Sequence, residues 1–240
     1  MRISFIWDRP EAAPDPSCPV TRADLAGIAM SLADEGGPAA VTPERVAAVL
    51  GPRAPGMDRQ LELPVDLLDL ALDGALGQVE LPPRPAGDWR DDLRTLAVAT
   101  RRTLLRHPWL AALVQTRPLL GPNALRHIEF AFASLDGLGL DPVTVDCYAG
   151  LVTGMVFGDG ALAWMELEAQ REWIGDYTEH DFHDLLASCF DQAVRCGRYP
   201  VYARFLTAGA PHPDPGTRFE TGLECLLDGL AARIAAKVAG

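Results

Sequence analysis

The chain has 240 residues, 48% of them hydrophobic and 22% charged, which is ample for a sizeable core and excludes a disordered polymer. Its 21 basic residues face 33 acidic ones for a net charge of −12, which argues against a broad nucleic-acid-coating surface. Five cysteines with no CxxC pair exclude a disulfide framework or zinc site and read as buried, reduced thiols.

Helical periodicity dominates along the chain, and strand alternation is nearly absent. Residues 1–20 carry Pro10, Pro14, Pro16 and Pro19 and read as a flexible N-terminal arm. Thr21 and Asp24 have capping-box spacing, and Leu25, Ile28, Ala29 and Leu32 follow as one apolar face ending at Gly36-Gly37. Thr42-Pro43 opens a second, short helix that Gly51 closes. A further helix is predicted from Pro64 to Leu76 with Val65, Leu68, Leu72 and Leu76 inward. The run Leu81-Pro82-Pro83-Arg84-Pro85 is a stiff connector. It separates a head (21–80) from a body (86–240).

In the body, Asp88 caps a long helix towards Arg106, and Pro108 opens or bends the next. Pro118 and Gly121-Pro122 interrupt before a helix through His127 and Phe130 to Leu135. Asp141-Pro142 starts a long helix reaching about Glu168. Thr178 and Asp181 cap another. Thr217 and Glu220 have capping-box spacing for the last helix, whose stripe is Phe219, Leu223, Leu226, Leu227, Leu230 and Ile234. The fold is expected to be all-α, with nine or ten helices. No stretch approaches the roughly 20 apolar residues of a membrane span, and a cytoplasmic protein is expected.

The ordered series Thr21-Arg22-Ala23-Asp24-Leu25, Leu32-Ala33-Asp34-Glu35-Gly36, Val41-Thr42, Arg45-Val46-Ala47, Leu50-Gly51, Asp88-Trp89-Arg90, Leu104 to Trp109, Thr116-Arg117-Pro118 and Gly121 to Leu125 resembles the TetR/AcrR transcriptional regulators. Within them it resembles the tetracycline-repressor-like effector domain. The resemblance implies a three-helix head with a helix-turn-helix, and a helical body that binds a small effector. It also implies a homodimer joined through a four-helix bundle, here about 142–168 and 217–238. By resemblance Thr116 and Arg117 border the effector pocket, with Glu129, Phe130 and Gly154 lining it. Met155, Phe157 and Trp164 can add apolar lining, and Asn123 and His127 polar groups. Gly154 stands where a tetracycline-type site would place a magnesium-associated histidine. A polycyclic or polyketide-like ligand without magnesium is therefore the expectation.

The head departs from the family pattern. The resemblance places the recognition helix at residues 53–61, but these carry Pro55 and Gly56, which disfavour an α-helix, and Asp58 lies beside Arg59. Residues 1–65 hold six arginines against nine acids, a net of −3, whereas phosphate neutralisation needs a basic footprint. Arg45, Arg53 and Arg59 are the candidate DNA contacts of a degenerate helix-turn-helix, and DNA binding is in question. Two alternatives stay open. One is an enzyme of natural-product biosynthesis on the same scaffold, using His127, Glu129 or Tyr148 for acid–base work. The other is a ligand-sequestering or partner protein. His180 and His183 lie at i, i+3 with no third ligand, so no metal or cofactor is expected.

Overall fold

The computed structural model describes residues 4–13, 16, 19–174, 187–192, 194–208 and 214–238. Among them every regular element is a helix, as the periodicity requires. The predicted cap at 178–181 and the pair His180/His183 lie outside the described residues.

Helix α1 (Arg22–Gly36) begins with the predicted capping box: Thr21 Oγ1 accepts from the Asp24 amide, and the Asp24 carboxylate accepts from the Thr21 amide. Leu25, Ala29 and Leu32 are buried. Gly37, at φ 72°, ends the helix in a conformation that side chains resist. Helix α2 (Pro43–Leu50) is capped by Thr42. The predicted helix over 53–61 is instead a 3₁₀ run, Gly51–Arg59, with Pro55 inside it. Pro52 and Pro55 offer no amide for i→i−4 bonds, and the tighter winding tolerates them at the expense of bond geometry.

The N-terminal arm is not loose over residues 4–13. Ile6 is fully buried, and Arg9 pairs with Asp66 at 2.6 Å. The Gln60 amide donates to the carbonyls of Ala12 and Val20.

Helix α3 (Asp66–Gly77) crosses α1 so closely that a Cβ on Gly74 would lie 2.8 Å from Met30 Sδ. Its inner face differs from the predicted stripe. Leu67, Leu70, Leu72 and Leu76 are buried together with Asp66, Asp69 and Asp73, whereas Val65 is 40% exposed.

Asp88 caps α4 (Trp89–Arg106) as expected, and Asp92 folds the connector back by accepting from the amides of Ala86 and Gly87. His107 ends α4, so Pro108 precedes a new helix, α5 (Leu110–Thr116), followed by α6 (Pro122–Leu135). Helix α7 (Pro142–Ile174) runs past the predicted Glu168, and Val152 and Val156 on it are buried. Gly160 of α7 lets Leu104 of α4 approach.

Helices α8 (Pro200–Thr207) and α9 (Pro215–Val238) complete the described chain. Asp214 caps α9 by accepting from the Thr217 amide and hydroxyl, so the cap lies nearly one turn before the predicted Thr217. Leu226 on its predicted stripe is half-buried, while the other five are buried.

The chain forms two compact units, Met1–Ala161 with Leu223–Gly240, and Leu162–Gly222. The division falls within α7 and within α9. In the second unit Tyr202 stacks on Phe205 and meets Phe190 edge-on. The four described cysteines, Cys147, Cys189, Cys196 and Cys225, are exposed, contrary to the expectation of buried thiols. No helix of the described residues is long and apolar enough to cross a membrane.

Candidate functional site

The α6 face turned to α4 and α7 centres on His127, which is 3% exposed. Its Nε2 lies 2.8 Å from Thr100 Oγ1, while the Thr100 hydroxyl donates to the Leu96 carbonyl. The one hydroxyl proton is thereby committed, so Thr100 accepts from Nε2–H, and Nδ1 of the neutral ring is an acceptor. The ring stacks on Phe157 with centroids 6.1 Å apart. Burial, with a smaller contribution from the Arg126 charge, pushes the imidazole down to about 4.

The sign of the resulting pH dependence follows. Between pH 6.5 and 4 the unfolded chain takes up a proton that the fold excludes, so stability falls as pH falls through that window. The loss reaches about 3 kcal/mol at its lower end. His127→Gln keeps a donor for Thr100 and removes the titration, so its urea midpoint should fall less than the native protein's between pH 7 and pH 4.5. An equal fall in both would contradict the assignment.

The other expected ligand residues do not converge on His127. Phe130 is buried, but Glu129 is exposed on a different side of α6. With Arg126 and the connector residues Leu81 to Pro85, these two line a cavity of about 640 Å³. Thr116 bonds back to the carbonyls of Ala112 and Leu113. Gly154 is exposed, and a Cβ there would meet nothing within 4 Å. Met155 is half-buried on α7, as is Trp164 in the second unit. Tyr148 faces a groove between α7 and α9. His127, Glu129 and Tyr148 therefore occupy three separate places and form no acid–base constellation. Among the described residues no group of three or more metal-ligating side chains occurs.

Arg117 and Asn123 are engaged with α3. Arg117 Nε donates to Asp69 at 2.5 Å, and Asn123 donates to Asp73 through its amide and side chain, at 3.0 and 2.9 Å. Asp73 also accepts from the Ala124 amide at 2.9 Å. Burial pushes the Asp73 carboxyl up, against the pull of these donors. A carboxylate of α3 thus caps the N-terminus of α6, where the helix dipole favours negative charge. In return, Arg126 of α6 donates to the carbonyls of Leu76, Gly77 and Val79 at the end of α3. The two helices cap each other.

Asp66 is the third buried acid of α3, on the same face at i, i+3 and i+7. Burial opposes its charge, but the Arg9 hydrogen bond and the amides of Leu63 and Glu62 hold it below the usual carboxylate range. Sequence reasoning missed this ladder. Its signal was the spacing of Asp66, Asp69 and Asp73 inside an otherwise apolar helix.

In the head, Arg45 is exposed and pairs with Glu35 at 3.0 Å. Arg53 and Arg59 are exposed on the 3₁₀ run, and the Arg53 charge contributes to holding Asp24 low, after the larger effect of its Thr21 hydrogen bonds.

A family model for the tetracycline-repressor-like C-terminal domain matches residues 81–234. An HTH-type transcriptional regulator of Saccharopolyspora erythraea is 31% identical over 229 residues, which span 95% of this chain and 91% of that one. The HTH-type transcriptional repressor DrrR1 of Streptomyces coeruleorubidus is 32% identical over 238 residues, 97% of this chain and 86% of that one. Among solved structures, the TetR family protein ActR of Streptomyces coelicolor, in complex with actinorhodin, superposes with a TM-score of 0.71 at 24% identity. That match covers 89% of this chain and 96% of ActR, and it shows the fold.

Proposed function

Because the chain belongs to the TetR family of transcriptional regulators, we propose that it is a ligand-responsive regulator in which α3 carries the state of the body to the head. The observation that supports this most is the ladder of Asp66, Asp69 and Asp73, which ties one helix to the arm, to the loop after α5 and to the start of α6. A ligand that prefers one position of α6 then biases α3, and with it the head. The ligand class proposed is polycyclic and polyketide-like. Phe130, which lines the cavity under the connector, supports it, as does the actinorhodin complex of the fold neighbour.

The protein acts as a homodimer in this reading, through α7 and α9. Val143 is 72% and Leu151 is 51% exposed on α7. A groove of about 390 Å³ runs between Tyr148 and Leu151 of α7 and Leu226 and Leu230 of α9. Apolar surface of this kind is what a four-helix bundle buries.

The head's grip on DNA is proposed to be weak, since the recognition segment is a proline-containing 3₁₀ run on an acidic head. Gel retardation with the DNA upstream of its own gene tests both halves. Retardation should occur below about 50 mM salt, vanish by about 200 mM, and be relieved by actinorhodin. The same two features favour a second reading, a ligand-sequestering protein that leaves DNA alone. Actinorhodin binding without retardation at low salt would establish that reading and overturn the first.

A further inference from the structure

A groove of about 880 Å³ lies along α1, walled on its far side by α3 and by the first turn of α6. It is distinct from the His127 region and from the cavity under the connector, sharing no lining residue with either. It follows α1 from Arg22 to Asp34, twelve residues and so about 18 Å. Its floor is apolar, with Met30, Leu70 and the bare backbone of Gly74, and Trp7, Leu120 and Leu125 stand on its rim. Leu120 and Leu125 are 40% and 53% exposed.

Its charged lining is three carboxylates, Glu11, Asp34 and Asp73, against the single guanidinium of Arg22. At one end Glu11 accepts from the Arg22 amide, while the Arg22 guanidinium donates to the Pro10 carbonyl. In the middle, both oxygens of Asp73 are taken by α6. At the far end, Asp34 receives Trp109 Nε1 at 2.6 Å and lies 2.7 Å from His107 Nδ1, both contacts falling on Oδ1. Gln78 closes that end, engaged with His107 and Arg106. Oδ2 of Asp34 has no partner among the described residues, and its side chain is 40% exposed. Asp34 is thus an anchored carboxylate, held by two donors on one oxygen and presenting the other to the groove.

Gly27 adds an independent observation. It lies inside α1 on the groove wall, yet a Cβ there would meet nothing within 4 Å. Glycine weakens a helix interior, and no packing neighbour requires it at this position. Its effect is to leave the groove open.

We propose that this groove is a second small-molecule site, for a flat aromatic amine in its cationic form, with the rings along Met30 and Leu70 and the charged nitrogen at Asp34. Its volume suits a drug-sized ligand, and its composition, an apolar bed with one fixed polar anchor, is that of such sites. An occupant touches α1 and both members of the α3–α6 clamp, so it biases the head independently of the body's own effector.

The test is fluorescence titration of the full chain with proflavine, a planar aromatic cation, at 150 mM salt. One dye should bind per chain. Gly27→Trp fills the groove and should weaken binding at least tenfold, with a thermal midpoint equal to or above the native one. Asp34→Asn keeps an acceptor for Trp109 and His107 and should weaken binding about tenfold. Glu80→Gln, which removes the same charge outside the groove, should change nothing. The anionic dye 8-anilinonaphthalene-1-sulfonate should show no affinity that Gly27→Trp abolishes. Undiminished proflavine binding by Gly27→Trp would overturn the site. Equal losses in Asp34→Asn and Glu80→Gln would overturn the anchor, because the attraction would then be that of the protein's overall charge.

Discussion

Gly121→Ala should lower stability by about 3 kcal/mol, the scale of a buried charge deprived of its partners, and the unfolding midpoint on the order of 10 °C. The backbone at Gly121 has φ −74° and ψ 163°, values any residue adopts, so conformational strain has no part in the effect. The cause is steric: a Cβ at this position falls within the Asp73 carboxylate. Either Asp73 leaves the α6 N-terminus, abandoning three hydrogen bonds in a buried setting, or α6 shifts away from α3. A double-mutant cycle isolates the mechanism. In an Asp73→Ala background the obstruction is gone, and adding Gly121→Ala should cost less than about 1 kcal/mol. Additive losses would show that Gly121 matters for some other reason.

Arg117→Ala should destabilise the ligand-free protein by about 3 kcal/mol, because it leaves Asp69 charged, buried and alone. The Asp69 side chain is 6% exposed and that of Arg117 17%, so water screens the pair poorly. Adding Asp69→Leu to Arg117→Ala should restore most of the loss, since an apolar residue replaces a stranded charge. Urea unfolding of the free protein checks both. A residue that only bordered a ligand would leave the free protein's midpoint unchanged. That outcome would return Arg117 to the effector pocket and remove one rung from the proposed transmission path.

The two substitutions act on residues that the sequence pattern marked for different reasons. Gly121 was legible as a helix-start signal with Pro122, and it is one, but its exclusion of a side chain depends on Asp73, 48 positions away. Arg117 and Asn123 belong to segments that resemble the family's pocket border. Their side chains are nevertheless taken by carboxylates of α3, because a buried acid needs a donor and these were the donors within reach. Glu129 shows the converse. Its place two residues from His127 already implied a different helix side, and the helix geometry confirms that.

Caps and stops were the most legible features, because Thr21, Thr42, Asp88 and Asp141 act on amides within three residues of themselves. The amphipathic stripes of α1 and α9 were legible for a related reason, since burial follows the helical repeat. At residues 53–61 the expected helix is a 3₁₀ run, and the obstacle to an α-helix was legible in the missing amide of Pro55. Local chemistry thus settled the all-α class and most of the helix starts, and the ordered series of motifs carried the family resemblance. The docking of the arm through Arg9, the mutual capping of α3 and α6, the tautomer of His127 and the groove along α1 each join residues more than twenty positions apart. No local signal specifies such pairings, because a donor and an acceptor find one another only after the core has collapsed and left them without water.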